Sequence, residues 1–183
     1  MLKWFVRRQL DAFEKDYGYD AAYMREMLDT SFTGLRRYAA VSKVAAHRED
    51  VPLDTWYAAK IVAILAEDCG PCTQLMVTMA EREGISQAVL RAILAGDEAG
   101  MGEQALLGVR YARAVLAHDP QADTLREEIV RRWGPRAVVS LALGIAASRV
   151  FPTVKYALGH GKACNRVRVG NTEARPLLNT SPA

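Results

Sequence analysis

The sequence predicts an all-α protein, and three observations support this fold class. Apolar residues recur at the three- and four-residue spacing of amphipathic helices from Leu2 to Val150. Acceptor side chains, prolines and glycines stand where these segments would begin and end. No stretch shows the convincing alternation of polar and apolar residues that marks a half-buried strand.

Length and composition indicate one domain with a full core. The chain has 183 residues, half of them hydrophobic and a quarter charged, with a net charge of +3. Because Lys and Arg are scattered among acids, we expect no nucleic-acid partner. Charged residues between Lys3 and Asp16 interrupt any apolar leader, and the longest low-charge run, 137–148, is too short to span a bilayer. We therefore expect a cytoplasmic protein that does not bind membranes.

Residues 1–50 are predicted to form an N-terminal extension of about three helices. Leu2, Val6, Leu10 and Phe13 define the apolar stripe of the first helix, which ends near Gly18. The second and third helices are expected to begin at acceptor side chains, namely Asp20, and Ser31 or Thr30.

Residues 51–159 are predicted to be the helical core. Its helices are expected to start at proline or at acceptor residues: Pro52 or Asp54, Pro71, Ser86, Asp123 and Pro135. They are expected to stop at glycine or proline: Gly84, Gly96, Asp119-Pro120 and Gly134. Pro152 should kink or divide the last helix. From Gly159 the pattern dissolves, so residues 160–183 are predicted to be a mobile tail or an arm on a partner subunit.

Cys69 and Cys72 are the predicted catalytic residues. Two thiols three positions apart at a helix start can close a disulfide with little backbone movement. The N–H groups and dipole of the helix start also stabilise a thiolate. In a reducing compartment such a pair is more often catalytic or metal-binding than structural.

The sequence Cys69-Gly70-Pro71-Cys72 is also that of the thioredoxin active site. A thioredoxin fold would make residues 61–65 a buried strand and would need further strands after it. The segments after Gly84 have helical spacing and helix caps instead. The sequence therefore favours a helical scaffold for the two cysteines.

An all-helical chain with a CxxC at a helix start, followed by Gly84-Ile85-Ser86, resembles the AhpD-like superfamily (alkylhydroperoxidase D / carboxymuconolactone decarboxylase). In that family the redox helix ends in a Gly-[Ile/Leu]-Ser turn, and a helix like residues 87–94 follows. The resemblance covers about residues 53–159. It implies an AhpD-like helical fold with the CxxC at the start of a core helix.

The resemblance also implies a function, with two departures at the site. Redox members of the family carry a glutamate in the preceding helix and a histidine one turn after the second cysteine. These positions fall near Tyr57 and on Met76, so both proton-relay residues are missing. The nearest ionisable residues are Lys60, Glu67, Asp68 and Glu81. The implied activity is a thiol–disulfide oxidoreductase or alkylhydroperoxidase-like peroxidase without a cofactor, in which one cysteine attacks and the other resolves.

Two alternatives to this chemistry stay open. The chain could be a non-redox or catalytically degenerate family member with a structural role, because the relay residues are absent. A zinc site of the Cys₃His type could form from Cys69, Cys72, His160 and Cys164. We expect no metal, because His160 lies between two glycines at a helix end, where it more often caps or is exposed.

The resemblance implies a small peroxide or disulfide substrate and a trimeric or hexameric assembly, and it leaves the electron donor open. Trp4 and Phe5 lie off the first apolar stripe. A partner subunit or a second core face is a better expectation for them than a membrane, because the polar face of that helix mixes both signs of charge. The face with Trp56, Tyr57 and Lys60 could line a substrate pocket, although burial against a neighbouring helix is the expectation.

Overall fold

A computed structural model describes residues 2–162 and 166–176, and these residues form nine helices and one short hairpin. The helical fold class is confirmed. In chain order the elements are α1 Leu2–Tyr17, α2 Ala22–Thr30, α3 Phe32–Ala45, α4 Leu53–Leu65, α5 Gly70–Arg82, α6 Gln87–Ala95, α7 Gly102–Leu116, α8 Gln121–Trp133, α9 Pro135–Ala157, β1 Val167–Val169 and β2 Thr172–Ala174.

Helix α4 is the centre of the fold. Every residue from Thr55 to Leu65 is buried, as expected for a helix that is apolar on all sides. It packs against α7, α9 and α5. The approach of α7 depends on Gly108, where a Cβ atom would overlap the main-chain carbonyl of Thr55. This rigid central helix supports the start of α5, where the two cysteines lie.

Several predicted helix boundaries are confirmed by their hydrogen bonds. The Ser31 hydroxyl accepts the N–H of Gly34 at 3.1 Å, and the Ser86 hydroxyl accepts that of Val89 at 3.2 Å. Helix α6 ends at Gly96, which has the left-handed backbone (φ +68°) that glycine adopts without strain.

One helix start differs from the prediction, and one helix is not divided where a division was predicted. Helix α8 begins at Gln121 rather than at Asp123, because the Asp119 carboxylate accepts the Gln121 N–H at 2.8 Å. Pro152 does not divide α9, which is continuous from Pro135 to Ala157. Pro152 is itself buried, and this packing offsets the one hydrogen bond that its missing N–H removes.

The hairpin shows that the predicted tail is wrong for residues 166–176. Val167 and Val169 are buried, and β1 packs against α5. The Gln74 side chain accepts the N–H of Arg168 at 2.6 Å and donates to its carbonyl at 3.0 Å. Strands of three residues are too short for alternation to be visible in the sequence. The rest of the predicted tail lies outside the described residues.

Helices α1 to α3 form a second layer with its own apolar cluster. The buried members of this cluster are Tyr19, Ala21, Tyr23, Leu28, Leu35 and Tyr38. The layer is joined to the rest of the protein mainly where α3 packs against α9. Residues of α4 to α9 and of β1 build the larger core.

By length and composition alone, helix α9 is long and apolar enough to cross a membrane. The low-charge run within it, residues 137–148, is too short to do so by itself. Of the most apolar window of α9, 44% is buried inside the protein. Core helices of soluble proteins have the same properties, and α9 packs against α3, α4 and α8. These contacts favour a core helix.

Candidate functional site

Cys69 and Cys72 form a disulfide, with their Cα atoms 5.3 Å apart. Cys69 precedes the first turn of α5, and Pro71 lies in that turn, as predicted. The first turn of α5 has fewer free N–H groups for the sulfurs than the sequence predicts. The Gly70 N–H donates to the carbonyl of Lys162 at 3.1 Å, and Pro71 has no N–H.

The two sulfur-bearing residues differ in their surroundings. Cys69 is fully buried and packs in the larger core, whereas Cys72 lines a cavity of about 480 Å³. The cavity lies between the N-terminal layer and helices α4, α5 and α9. A small molecule in this cavity would therefore contact Cys72.

Most of the cavity wall is apolar. The apolar side chains that line it include Val6, Leu10, Phe13, Met24, Leu35, Trp56, Ile64, Leu75, Met76, Met79 and Phe151. The polar and ionisable groups are Gln9, Tyr19, Tyr23, Tyr38, Ser42, Tyr57, Lys60 and Glu83. An apolar cavity of this size with a few polar groups is typical of a site for a small organic ligand.

Three buried tyrosines run from Cys72 into the N-terminal layer. The Tyr19 hydroxyl lies 3.9 Å from the Sγ atom of Cys72 and 3.3 Å from the Tyr23 hydroxyl. The hydroxyls of Tyr23 and Tyr38 are 2.7 Å apart. Burial raises the pKa of Tyr19, Tyr23 and Tyr38, so the three phenols keep their protons and act as hydrogen-bond donors.

Lys155 of α9 lies behind Tyr19. Its Nζ atom is 3.4 Å from the Tyr19 hydroxyl and donates to the main-chain carbonyl of Asp20 at 3.4 Å. It also lies over the rings of Tyr19 and Tyr23, at 4.4 and 5.2 Å from their centroids. Burial lowers the pKa of Lys155. Among the described residues no carboxylate is within ion-pair distance of it, so its contacts are aromatic rings and oxygen acceptors.

Tyr57 and Met76, where the resemblance would place two relay residues, also line the cavity. Met76 can take no proton, but the hydroxyl of Tyr57 donates to the Glu83 carboxylate at 2.7 Å. Burial raises the pKa of Tyr57. Glu83, which the sequence did not single out, therefore places a carboxylate in this wall beside Tyr57.

The face of α4 that carries Trp56, Tyr57 and Lys60 is buried, as expected, and it also lines the cavity. The Nζ atom of Lys60 donates to the carbonyl of Ala45 at 3.0 Å and lies 3.5 Å from the centroid of the Trp56 ring. Burial lowers the pKa of Lys60 to about 8.

The other ionisable residues near the cysteines in the sequence have different partners. Glu67 pairs with Arg149, and Glu81 accepts the Gly170 N–H at 2.6 Å. Neither of these carboxylates lines the cavity.

The zinc alternative has no support in the described part of the chain. His160 pairs with Glu26 at 2.7 Å, and Cys69 and Cys72 are bonded to each other. No group of three or more potential metal ligands occurs among the residues that the structure describes, and Cys164 lies outside them.

No family model matches this sequence, and no curated protein or solved structure matches it either. The resemblance to the AhpD-like superfamily therefore rests on the CxxC, the Gly84-Ile85-Ser86 turn and the order of the helices.

Proposed function

We propose that this protein is an AhpD-like, cofactor-free thiol–disulfide oxidoreductase that reduces a small peroxide or disulfide at Cys72. One observation carries the proposal. Cys72 belongs to a CxxC disulfide, lines an apolar cavity and has the hydroxyl of Tyr19 at 3.9 Å from its sulfur. A thiol in a cavity with a hydrogen-bond donor beside it has the surroundings that nucleophilic chemistry needs.

The surroundings of the two sulfurs support different roles for Cys69 and Cys72. Cys72 faces the cavity and is the attacking thiol in this proposal. Cys69 is fully buried beside it and is the resolving thiol, because it needs to reach only the sulfur of Cys72. The burial of Cys69 and the position of Cys72 at the cavity support this assignment, which the spacing of the cysteines leaves open.

The reaction with a hydroperoxide proceeds in two steps. The thiolate of Cys72 attacks one peroxide oxygen, the O–O bond breaks, and the other oxygen leaves as an alcohol after taking a proton. Cys72 is then a sulfenic acid. The thiol of Cys69 attacks this sulfur, the disulfide forms, and water leaves. An external dithiol then reduces the disulfide by transferring two electrons and two protons.

Tyr19 takes the place next to the thiol that Met76 cannot fill. With the disulfide present, the Tyr19 hydroxyl donates to the hydroxyl of Tyr23. In the reduced protein its one proton turns to the Cys72 thiolate instead, which lowers the pKa of the thiol. Lys155 donates to the oxygen of Tyr19 and so strengthens the phenol as a donor. Lys155 acts through Tyr19 and is a positioning residue.

The test compares the wild-type protein with Cys72→Ser and Cys69→Ser. Consumption of cumene hydroperoxide is measured with dithiothreitol as the electron donor. We expect repeated turnover by the wild type, no reaction above background by Cys72→Ser, and a sulfenic acid that a dimedone probe traps in Cys69→Ser. Equal rates for the wild type and both variants would contradict the proposal.

A catalytically degenerate family member with a structural role is the second candidate. It is favoured by the replacement of both relay positions, by Tyr57 and Met76, and by the burial of both sulfurs. The two candidates differ in the assay above, because a degenerate protein keeps its fold in all three forms and turns over in none.

We also propose that the protein is a cytoplasmic homo-oligomer, a trimer or a hexamer. Leu2, Trp4 and Phe5 are 61%, 60% and 56% exposed, so no second core face within the described chain covers them. Light scattering after size exclusion should give the mass of a trimer or hexamer for the wild type and a smaller mass for Trp4→Ser/Phe5→Ser. Val139→Ser on α9, at a position 51% exposed, is the control. A monomeric wild type would contradict the assembly.

A further inference from the structure

Lys60 is a buried cation in the wall of the cavity. Its side chain is 5% exposed, and its Nζ atom lies against the indole ring of Trp56 and donates to the carbonyl of Ala45. An ammonium group carries three N–H donors, and one carbonyl uses one of them. Donor capacity therefore remains on a charged group beside an apolar cavity.

The charge of Lys60 is not paired with a carboxylate in the part of the chain that the structure describes. Among the residues that the structure describes, no carboxylate lies within ion-pair distance of Nζ. Glu83 raises the pKa of Lys60 through its charge but accepts the hydroxyl of Tyr57. A buried charge without a counter-ion is unfavourable unless another group supplies the opposite charge. An anionic group bound in the cavity would do so.

We propose that the cavity binds a monocarboxylate with a long apolar chain, with its carboxylate on Lys60 and its chain along the apolar wall. One buried cation matches one carboxylate, and the wall beyond it offers apolar side chains from both layers of the protein. The cavity, at about 480 Å³, is within the ~300–1,000 Å³ range of sites that enclose small ligands. A phosphate would bring more negative charge than one lysine neutralises.

The binding site deepens the proposed function, because Cys72 and Lys60 line the same cavity. If that function holds, the substrate class is a fatty-acid hydroperoxide, whose carboxylate contacts Lys60 while its peroxide group contacts Cys72. This assignment of the substrate rests on the proposed function, whereas the binding of a carboxylate at Lys60 does not depend on that function.

The experiment measures the binding of dodecanoic acid and of 1-dodecanol by calorimetry, to the wild type, Lys60→Met and Lys43→Met at pH 7. Lys43 is an exposed lysine of α3 and is the matched control. We expect the wild type and Lys43→Met to bind the acid more tightly than the alcohol. We expect Lys60→Met to bind the acid at least about tenfold more weakly, because a buried ion pair is lost, and to bind the alcohol unchanged.

A pH series on the wild type tests the same charge without a substitution. The groups that face Lys60 are Trp56 and Tyr57 of its own helix, Glu83 near the end of α5 and the Ala45 carbonyl of α3, with Gly144 of α9 against its stem. Tyr57 keeps its proton over this range. We expect affinity for the acid to fall between pH 7 and pH 9.5, as Lys60 loses its proton, while affinity for the alcohol stays constant.

Three results would overturn the inference: no binding of the acid, equal affinity of the wild type for acid and alcohol, or unchanged affinity of Lys60→Met for the acid. Repeating the titration with Cys72→Ser separates the two proposals. If Cys72→Ser and the wild type bind the acid equally and the wild type turns over no hydroperoxide, the proposed function fails and the binding site stands.

Discussion

Lys60 and Lys155 are the two buried lysines among the described residues, and their sites are built in the same way. Each ammonium group lies over two aromatic rings and donates to a main-chain carbonyl, that of Ala45 or that of Asp20. Neither has a carboxylate within ion-pair distance among the described residues. They differ in what the charge meets, because Lys60 lines the cavity and Lys155 is separated from Cys72 by Tyr19.

This difference indicates two uses of a buried cation. At Lys60 the charge is available to a ligand in the cavity. At Lys155, in the proposed function, the charge acts on the phenol of Tyr19 beside the thiol. Aromatic rings and carbonyls can hold an ammonium group inside a protein without cancelling its charge. A carboxylate at either site would neutralise the charge and remove its effect on ligand or thiol.

The largest effect is expected from Lys60→Met, in stability as a function of pH. The folded-state pKa of Lys60, about 8, is below its ordinary value near 10.5, so the unfolded chain binds more protons between these values. Stability therefore rises with pH through this window, and the full penalty, about 3 kcal/mol, is present below pH 8. Urea unfolding at pH 7 to 10.5 should show this rise in the wild type and not in Lys60→Met.

The measured quantity is the difference between the two proteins at each pH. The buried tyrosines that do not contact Lys60 contribute the same pH dependence to both proteins and cancel from this difference. Lys43→Met, which removes an exposed lysine, should follow the wild type. If the difference in the free energy of unfolding is the same at pH 7 and pH 10, burial does not destabilise the charged form of Lys60. The comparison between Lys60 and Lys155 would then fail.

The second effect, about 2 kcal/mol, is expected from Tyr19→Phe on the reduced thiol. Loss of a hydrogen bond to a thiolate raises the pKa of Cys72, so less thiolate is present at a given pH. Alkylation of the reduced protein by iodoacetamide should slow by about tenfold to a hundredfold at pH 7, and its pH midpoint should move upward. The Cys69→Ser/Cys164→Ser background restricts the assay to the thiol of Cys72, because these are the other two cysteines of the chain.

The matched control is Tyr111→Phe, because Tyr111 is buried in the larger core and does not line the cavity. Its alkylation profile should equal that of the parent protein. An unchanged pH midpoint in Tyr19→Phe would show that the tyrosine hydroxyl does not act on the thiol, and the role proposed for it would be wrong.

The sequence predicted the helical fold and the CxxC but not the groups that surround Cys72. Helix periodicity and the signals at Ser31, Ser86 and Gly96 are local, so each boundary follows from a few neighbouring residues. Tyr19 and Tyr23 are four residues apart, which is a local signal for one aromatic pair. Their contacts with the thiol and with the lysine are not local.

Lys155 was missed because it is 136 residues from Tyr19 in the chain. The position of Lys155 depends on how α9 packs against the N-terminal layer, and the residue pattern of α9 alone does not show this packing. A lysine in an apolar helix suggests a solvent-facing position or a helix end. The hairpin of β1 and β2 was missed for the opposite reason, since its local signal is only a few residues long.

The third effect is expected from Lys155→Met and should be smaller than that of Tyr19→Phe. The lysine acts on the thiol through the phenol, so its removal should slow alkylation of Cys72 by less than about tenfold. The double variant Tyr19→Phe/Lys155→Met should be no slower than Tyr19→Phe alone, because the path is already broken. Additive effects on the pH midpoint would show that Lys155 acts on the thiol directly.

The smallest effect is expected from Tyr38→Phe, at the far end of the tyrosine chain from Cys72. This change removes the hydrogen bond between the hydroxyls of Tyr38 and Tyr23, at 2.7 Å, and should cost about 1 kcal/mol in urea unfolding. It touches neither lysine, so alkylation of Cys72 should keep its rate and its pH midpoint. If Tyr38→Phe slowed alkylation as much as Tyr19→Phe, the three phenols would act as one proton-conducting unit. The reactivity of the Cys72 thiol would then depend on the whole N-terminal layer. The comparison in which Lys60 acts on a ligand and Lys155 acts on the thiol would then be incomplete.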